Sequence, residues 1–227
     1  METFLYLPHD GQGMRVTWLG NASFLVETGR DAVYIDPYFD PFERIRLPKA
    51  TLILISHWHP DHCTRESVER VRADETVILG TAEAAREFLN CIAVRAGDQK
   101  SVGDLSVRVM PARTTDHVGG HDEAGFVVGF VLEAEGKKLY YTADTDATPE
   151  MIGLVPDVVL IPVGGTTTMG PAEAAKAVRA MGAKLAIPAH WGARTGTRDN
   201  AELFKEYVEQ DIGYRAVILE QGEMLEL

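Results

Sequence analysis

The chain has 227 residues and carries 34 Asp and Glu against 22 Lys and Arg, a formal net charge of −12. Its 45% hydrophobic and 25% charged residues are those of a globular protein able to bury a substantial core, which argues against wholesale disorder. The acidic balance argues against broad nucleic-acid binding through a basic surface. The longest apolar run, Ala124 to Leu132, falls short of the ~20 residues of a membrane helix. The N-terminal METFLYLPHD offers Glu2 and no basic residue before its apolar stretch, unlike a secretory signal. Cys63 and Cys91 form neither a disulfide framework nor a C-x-x-C pair. Both read as ordinary buried thiols in a reduced, cytoplasmic compartment.

In chain order, Met14 to Leu19 and Ser23 to Thr28 are predicted strands separated by the turn-forming Gly20-Asn21. A third strand, Val33 to Asp36, ends against Pro37, and the continuous apolar run Leu52 to Ile55 suits a buried strand. A helix follows from Thr64 to Arg72 with Thr64 as its cap. Then come a strand at Val77 to Leu79 and a helix at Ala82 to Leu89. Strands return at Leu105 to Met110, Phe126 to Ala134 and Lys138 to Thr142, the last two joined by a Gly136-Lys137 hairpin turn. The final third alternates: strand Val158 to Ile161, helix Pro171 to Met181, strand Leu185 to Ile187, helix Ala201 to Gln210 and strand Ala216 to Leu219. Pro171 suits a first helical turn and Gly182 a helix stop. Hairpins coexist with αβ units in two successive halves, which fits a layered α/β sandwich better than a single doubly wound sheet.

The chemistry is concentrated in Ser56-His57-Trp58-His59-Pro60-Asp61-His62. Imidazole and carboxylate are ligands for Zn²⁺ and other borderline metals. Pro60 disfavours a helix, so the segment is a loop at a strand end. On an extended backbone His57 and His59 point the same way, whereas the adjacent Asp61 and His62 diverge, an arrangement suited to two neighbouring metals. The plain alternative, a polar loop with incidental histidines, is weak with four ligand-type side chains so close together.

This H-x-H-x-D-H element resembles the signature of the metallo-β-lactamase superfamily, in particular its compact single-domain branch of metal-dependent hydrolases with sugar-phosphate lactonase-like members. The same branch is matched by Trp18-Leu19-Gly20-Asn21-Ala22-Ser23-Phe24, Tyr34-Ile35-Asp36-Pro37, Tyr141-Thr142-Ala143-Asp144-Thr145, Ile161-Pro162-Val163-Gly164-Gly165 and Ile187-Pro188-Ala189-His190-Trp191-Gly192. The resemblance implies an α/β fold, a four-layer αββα sandwich, with residues 1–227 as a single domain. It implies two divalent ions, zinc foremost, with manganese or iron as alternatives. His57, His59 and a third histidine would hold one ion. Asp61, His62 and His190 would hold the other, with Asp144 as the bridge. The plain alternatives are a turn or helix cap for Asp144 and a core histidine for His190. The third histidine would be His117, with His121 as its rival across Gly119-Gly120. His9 reads as ordinary.

Two positions differ from patterns seen in the superfamily. Asn21 stands where the family often has histidine. His59 stands where the redox diiron branch commonly has glutamate, which favours hydrolysis.

Two ions ~3.5–4 Å apart lower the pKa of a shared water, and no Ser, Cys or Lys nucleophile motif such as G-x-S-x-G is present. Asp61 would then both ligate and orient the attacking hydroxide. Arg194 and Arg113 are candidates to grip an anionic group of a small-molecule substrate, whereas Arg198 reads as a solvated surface residue. Trp58 and Trp191 either wall the cleft or pack beneath it. The expected activity is hydrolysis of an ester, lactone or phosphodiester. A non-catalytic binding protein and a diiron redox protein are the alternatives. Neither nucleic acid nor membrane is an expected partner, and a homo-oligomer is compatible with the sequence.

Overall fold

A computed structural model describes residues 13–38, 47–114, 125–192 and 195–227. His9, His117, His121 and Arg194 lie outside the described residues. The chain divides into two compact units, one running to Ala93 and taking in Leu219–Leu227, the other Val94–Ile218.

The first unit opens with β1 (Arg15–Gly20), β2 (Ser23–Glu27) and β3 (Ala32–Ile35), an antiparallel meander, followed by β4 (Leu52–Ile55). Every residue of β2, β3 and β4 is buried, which accounts for the continuous apolar sequences of β3 and β4. Helix α1 (Arg65–Val71) starts where Thr64 Oγ1 accepts the Ser67 N–H, at 3.2 Å, a standard N-cap. It buries Val68 and Val71 in a cluster with Tyr34, Ile53, Ile55 and Ile78, at about 1.5–3 kcal/mol for each valine. Strands β5 (Val77–Gly80) and β6 (Cys91–Ala93) extend the sheet in parallel, with α2 (Ala84–Glu87) between them.

The second unit begins with β7 (Gln99–Val102), β8 (Leu105–Ala112), β9 (Val127–Ala134) and β10 (Lys137–Tyr141), all antiparallel neighbours. A single 3₁₀ turn at Pro149–Met151 precedes β11 (Val158–Pro162). Helix α3 (Pro171–Met181), β12 (Leu185–Ala189), α4 (Arg198–Glu209) and β13 (Arg215–Ala216) follow, and the strands from β10 to β13 pair in parallel. Gly182 adopts φ 77° and returns its N–H to Val178 and Arg179, the left-handed stop that glycine makes without penalty. The chain then rejoins the first unit, where β14 (Met224–Glu226) pairs antiparallel with β1. The two sheets thus have the orders β14-β1-β2-β3-β4-β5-β6 and β13-β12-β11-β10-β9-β8-β7. Each has an antiparallel half and a parallel half. Among the described residues no helix is long and apolar enough to cross a membrane.

Several boundaries differ from the sequence expectation. The helix expected over Ala82 to Leu89 shortens to Ala84–Glu87 because Phe88 turns extended (φ −117°, ψ 125°) and stacks its ring edge-on against Trp58, 5.3 Å between centroids. The hairpin turn is Glu135-Gly136, one residue earlier than expected, since Ala134 pairs with Lys137. Both turn residues have positive φ, 51° and 71°, as a tight two-residue hairpin requires. Helix α4 starts at Arg198 rather than Ala201, because Asn200 Oδ1 accepts the Thr197 N–H at 2.8 Å and caps the earlier turn. The expected strand Ala216 to Leu219 contracts to Arg215–Ala216.

Both cysteines are free thiols, Cys63 buried and Cys91 half-buried. Burial pushes the Cys91 thiol up to about 11 from the ordinary 9.0. Cys63 rises as well, first through burial and then through the charge of Asp36. At pH 8 this leaves Cys91 about 100-fold less thiolate, partly offset by the greater nucleophilicity of a more basic sulfur. An aromatic disulfide reagent at pH 8 is therefore expected to label the native protein at least about tenfold more slowly than the unfolded chain. Equal rates would show that burial does not protect these thiols.

Candidate metal centre

In each unit the polar side chains gather where parallel strands end, the place where open α/β sheets bind ligands. In the first unit β3 and β4 run parallel, with Ile35 opposite Leu54, so the residues that follow them, Asp36 and Ser56, lie side by side. Asp36 has no exposed surface and takes φ 45°. Its Oδ1 accepts the Ser56 N–H at 2.7 Å, and its Oδ2 accepts the Ser56 hydroxyl. The same Oδ2 accepts Nδ1–H of His62 at 2.9 Å. Ser56 has given its only hydroxyl proton to Asp36, so at 2.9 Å it accepts from Nδ1 of His57. One buried carboxylate thus sets the tautomer of two histidines, directly for His62 and through Ser56 for His57. With each ring neutral and Nδ1 protonated, the lone pair would be on Nε2.

The loop itself is compact. His57 and His62 are fully buried, their ring centroids 4.1 Å apart, and the His59 ring stands edge-on to His57 at 4.7 Å. His59 and Asp61 are half-buried. Pro60 and Asp61 form the centre of a turn closed by the His62 N–H on the His59 carbonyl, at 3.0 Å, with proline in its favoured position. Residues 57–59 lie outside any helix or strand just after β4, and a turn follows them, as expected of a strand-end loop. Trp58 packs against Phe88.

In the second unit Asp144 follows β10 and His190 follows β12, and both are buried. His190 Nε2 lies 3.3 Å from Asp144 Oδ2, and its Nδ1 is 2.7 Å from Thr195 Oγ1. Gly164, two residues past β11, makes room for this contact. A Cβ there would stand 3.2 Å from His190 Nδ1 and 3.3 Å from Thr195 Oγ1. Arg113 continues from β8; its N–H donates to Thr145 Oγ1 at 3.1 Å and its carbonyl accepts from the Asp146 N–H at 2.8 Å. Its backbone is therefore stitched to the residues just after Asp144. Trp191 is buried and its indole N–H donates to the Pro188 carbonyl, 3.1 Å, so it packs beneath its loop. Arg198 pairs with Glu202 on the exposed face of α4, a surface pair of the kind worth under about 1 kcal/mol.

Asn21, Asp36, Ala143 and His190 all have φ between 45° and 60°. Non-glycine residues enter that region at a cost, and they collect at functional sites. One ligand atom from each of Asp36, His57 and His62 lies within 4.8 Å of the others. Buried imidazoles with Nδ1 occupied, beside carboxylates, are a donor set suited to a divalent borderline metal. Sequence reasoning assigned no role to Asp36.

Residues 15–190 match the family model of the beta-lactamase superfamily domain. A relative from Archaeoglobus fulgidus, named a UPF0173 metal-dependent hydrolase, is 33% identical over 230 residues, covering 94% of this chain and 99% of its own. Two solved structures have the same fold. A protein from Parabacteroides distasonis described as a metal-dependent hydrolase superposes with TM-score 0.81 at 24% identity, over 96% of this chain and 100% of its own. Igni18, a metallo hydrolase from Ignicoccus hospitalis, gives TM-score 0.76 at 24% identity, over 94% and 98% of the two chains. The fold is therefore the αββα class expected from the sequence. The chain belongs to the metallo-β-lactamase superfamily and, within it, to the UPF0173 metal-dependent hydrolases.

Proposed function

We propose that this hydrolase works with two divalent ions, zinc foremost, on an ester, lactone or phosphodiester bond of a small anionic substrate. His57, His59 and His117 would hold one ion; Asp61, His62 and His190 would hold the other; Asp144 would bridge them. The observation that carries this reading is the shared setting of three of these histidines. His57, His62 and His190 each have Nδ1 against an oxygen, of Ser56, Asp36 and Thr195 respectively. That pattern fixes ring orientation and raises the basicity of the opposite nitrogen, as it does for metal-ligating histidines generally.

Bound ions would supply an activated water and polarise the bond under attack. The chain's own part is to orient. Asp61 would align the attacking oxygen, and Arg194 and Arg113 would grip the substrate's anionic group, which an acidic chain cannot attract at long range. Histidine rather than glutamate at position 59 supports hydrolysis over diiron redox chemistry. Free Cys63 and Cys91 support a reducing cytoplasmic setting. The same reading has no nucleic-acid or membrane partner and allows a homo-oligomer.

Elemental analysis of protein purified without chelator is expected to find close to two equivalents of transition metal. Chelation should abolish hydrolysis across a panel of lactones, phosphodiesters and esters, and Zn²⁺ or Mn²⁺ should restore it. One equivalent that added metal leaves unchanged would remove the second ion. Undiminished turnover by fully metal-free protein would overturn the reading altogether.

A further inference from the structure

The turn between β1 and β2 holds a buried amide for which the proposed ligand set has no use. We propose that Asn21 is a positioning residue for the metal loop, its side chain clamping the Asp61 carbonyl so that Asp61 and His62 are held in place for the ion they share. The inference rests on the two-metal reading above.

Asn21 is only 2% exposed, and its Nδ2 donates to the Asp61 carbonyl at 2.8 Å, across 40 residues of sequence. A carbonyl can only accept, so this contact fixes which end of the amide faces Asp61. The turn that carries Asp61 is closed on its inner side by the His62 and Cys63 N–H groups, both donating to the His59 carbonyl at 3.0 and 2.9 Å. Asp36 holds the His62 ring. The Asn21 amide grips the peptide between the two expected ligands, so it sets the direction in which they part.

A clamp is only as good as its mounting, and Asn21 is firmly mounted. Its own carbonyl accepts from the Trp18 indole N–H at 3.0 Å. The neighbouring Leu19 carbonyl accepts from Gln221 Nε2 at 3.0 Å, and the Trp18 carbonyl from the Gly222 N–H at 2.6 Å. Asn21 itself has φ 49°, a conformation that asparagine tolerates better than most residues.

Two explanations of Asn21 are separable. If it serves only the left-handed turn, glycine will replace it at no loss. If it serves as a clamp, glycine will fail and a residue with an N–H at the same place will succeed. Imidazole Nδ1 sits at the same branch distance as the amide nitrogen, so Asn21→His keeps a donor. Asn21→Asp keeps the size and replaces the donor by an oxygen.

The test uses the metal-free full chain and its Asn21→Gly, Asn21→Asp and Asn21→His variants. Zn²⁺ affinity is read by competition with a chromophoric chelator and the site's geometry by the visible spectrum of the Co²⁺ form. Asn21→Gly and Asn21→Asp are expected to bind the weaker equivalent about 10- to 100-fold less tightly with a changed Co²⁺ spectrum, and Asn21→His to lie within about threefold of the wild type. Wild-type affinity and spectrum in Asn21→Gly would overturn the clamp and leave the two-metal reading standing, even if the thermal midpoint fell. Should the glycine variant not fold, equal affinities in the Asp and His variants would overturn it just as well. A wild-type chain that binds no metal would overturn both.

Discussion

His62→Ala is expected to reduce the metal content from two equivalents to one and to lower kcat/KM by about 10²- to 10³-fold, the scale of losing one electrostatic stabiliser of a transition state. His62 is expected to ligate through Nε2 while its Nδ1–H occupies Asp36. The alanine variant removes both functions at once. His62→Asn separates them, because an amide nitrogen can still donate to Asp36 but offers nothing at the Nε2 position. The asparagine variant should therefore keep near-wild-type stability and still lack the second ion. Elemental analysis, a denaturant midpoint and steady-state kinetics on the three proteins decide it. Two equivalents retained in either variant would take His62 out of the ligand set.

The second large effect belongs to Asp36. Asp36→Ala strips the acceptor from the Ser56 N–H, the Ser56 hydroxyl and His62 Nδ1–H in a site with no exposed surface. Each buried donor left unmet costs about 1–3 kcal/mol, and alanine at φ 45° adds strain. A loss of about 3–5 kcal/mol is expected, a large part of the 5–15 kcal/mol that holds a typical domain together. Metal binding should weaken as well, because His57 and His62 lose the partner that fixes their tautomers. Asp36→Asn keeps one oxygen for the Ser56 N–H but turns an N–H₂ toward two donors, so it should recover only part of the stability. Urea denaturation of the metal-free proteins reads the first effect, and chelator competition the second. An alanine variant as stable as the wild type would mean that water replaces the carboxylate without loss.

The parts of the fold legible in the sequence were those governed by neighbours in the chain. β4 was predicted at Leu52–Ile55 and α3 at Pro171–Met181, and both occur there. A continuous apolar run marks the strand, and Pro171 and Gly182 bracket the helix. The Thr64 cap was equally local. Strand β7 escaped notice because Gln99–Val102 alternates exposed and half-buried at a sheet edge, where little apolar signal is needed. Strand β6 escaped because two of its three residues are exposed. α2 ended early for a tertiary reason, the Phe88 ring seeking Trp58.

The candidate site divides in the same way. His57, His59, Asp61 and His62 announce themselves by spacing. Asp36 does not, although it stands in view before Pro37, because its partners depend on the parallel pairing of β3 with β4. Two strands that are each followed by a polar residue, Asp36 after β3 and Ser56 after β4, were the available signal. The Asn21 contact with Asp61 had no local signal at all. For Arg113, offered as a substrate contact, the structure ties the backbone to Thr145 and Asp146, a role that no side-chain chemistry would reveal.

The pairing of β14 with β1 has a consequence for the order of events during biosynthesis. Translation delivers β1 about two hundred residues before its outer neighbour, as Arg15 and Glu226 show by their register. Throughout that interval the nascent sheet presents a raw backbone edge, the kind that recruits stray strands from other chains. The carbonyls of Trp18 and Leu19 also wait for Gly222 and Gln221. The β1–β2 turn therefore lacks these struts until residues 221–226 have been made, and it is completed late. Sequence-distant closure of this kind slows folding, and it makes β14 a poor place for deletion, since β1 would lose its outer neighbour.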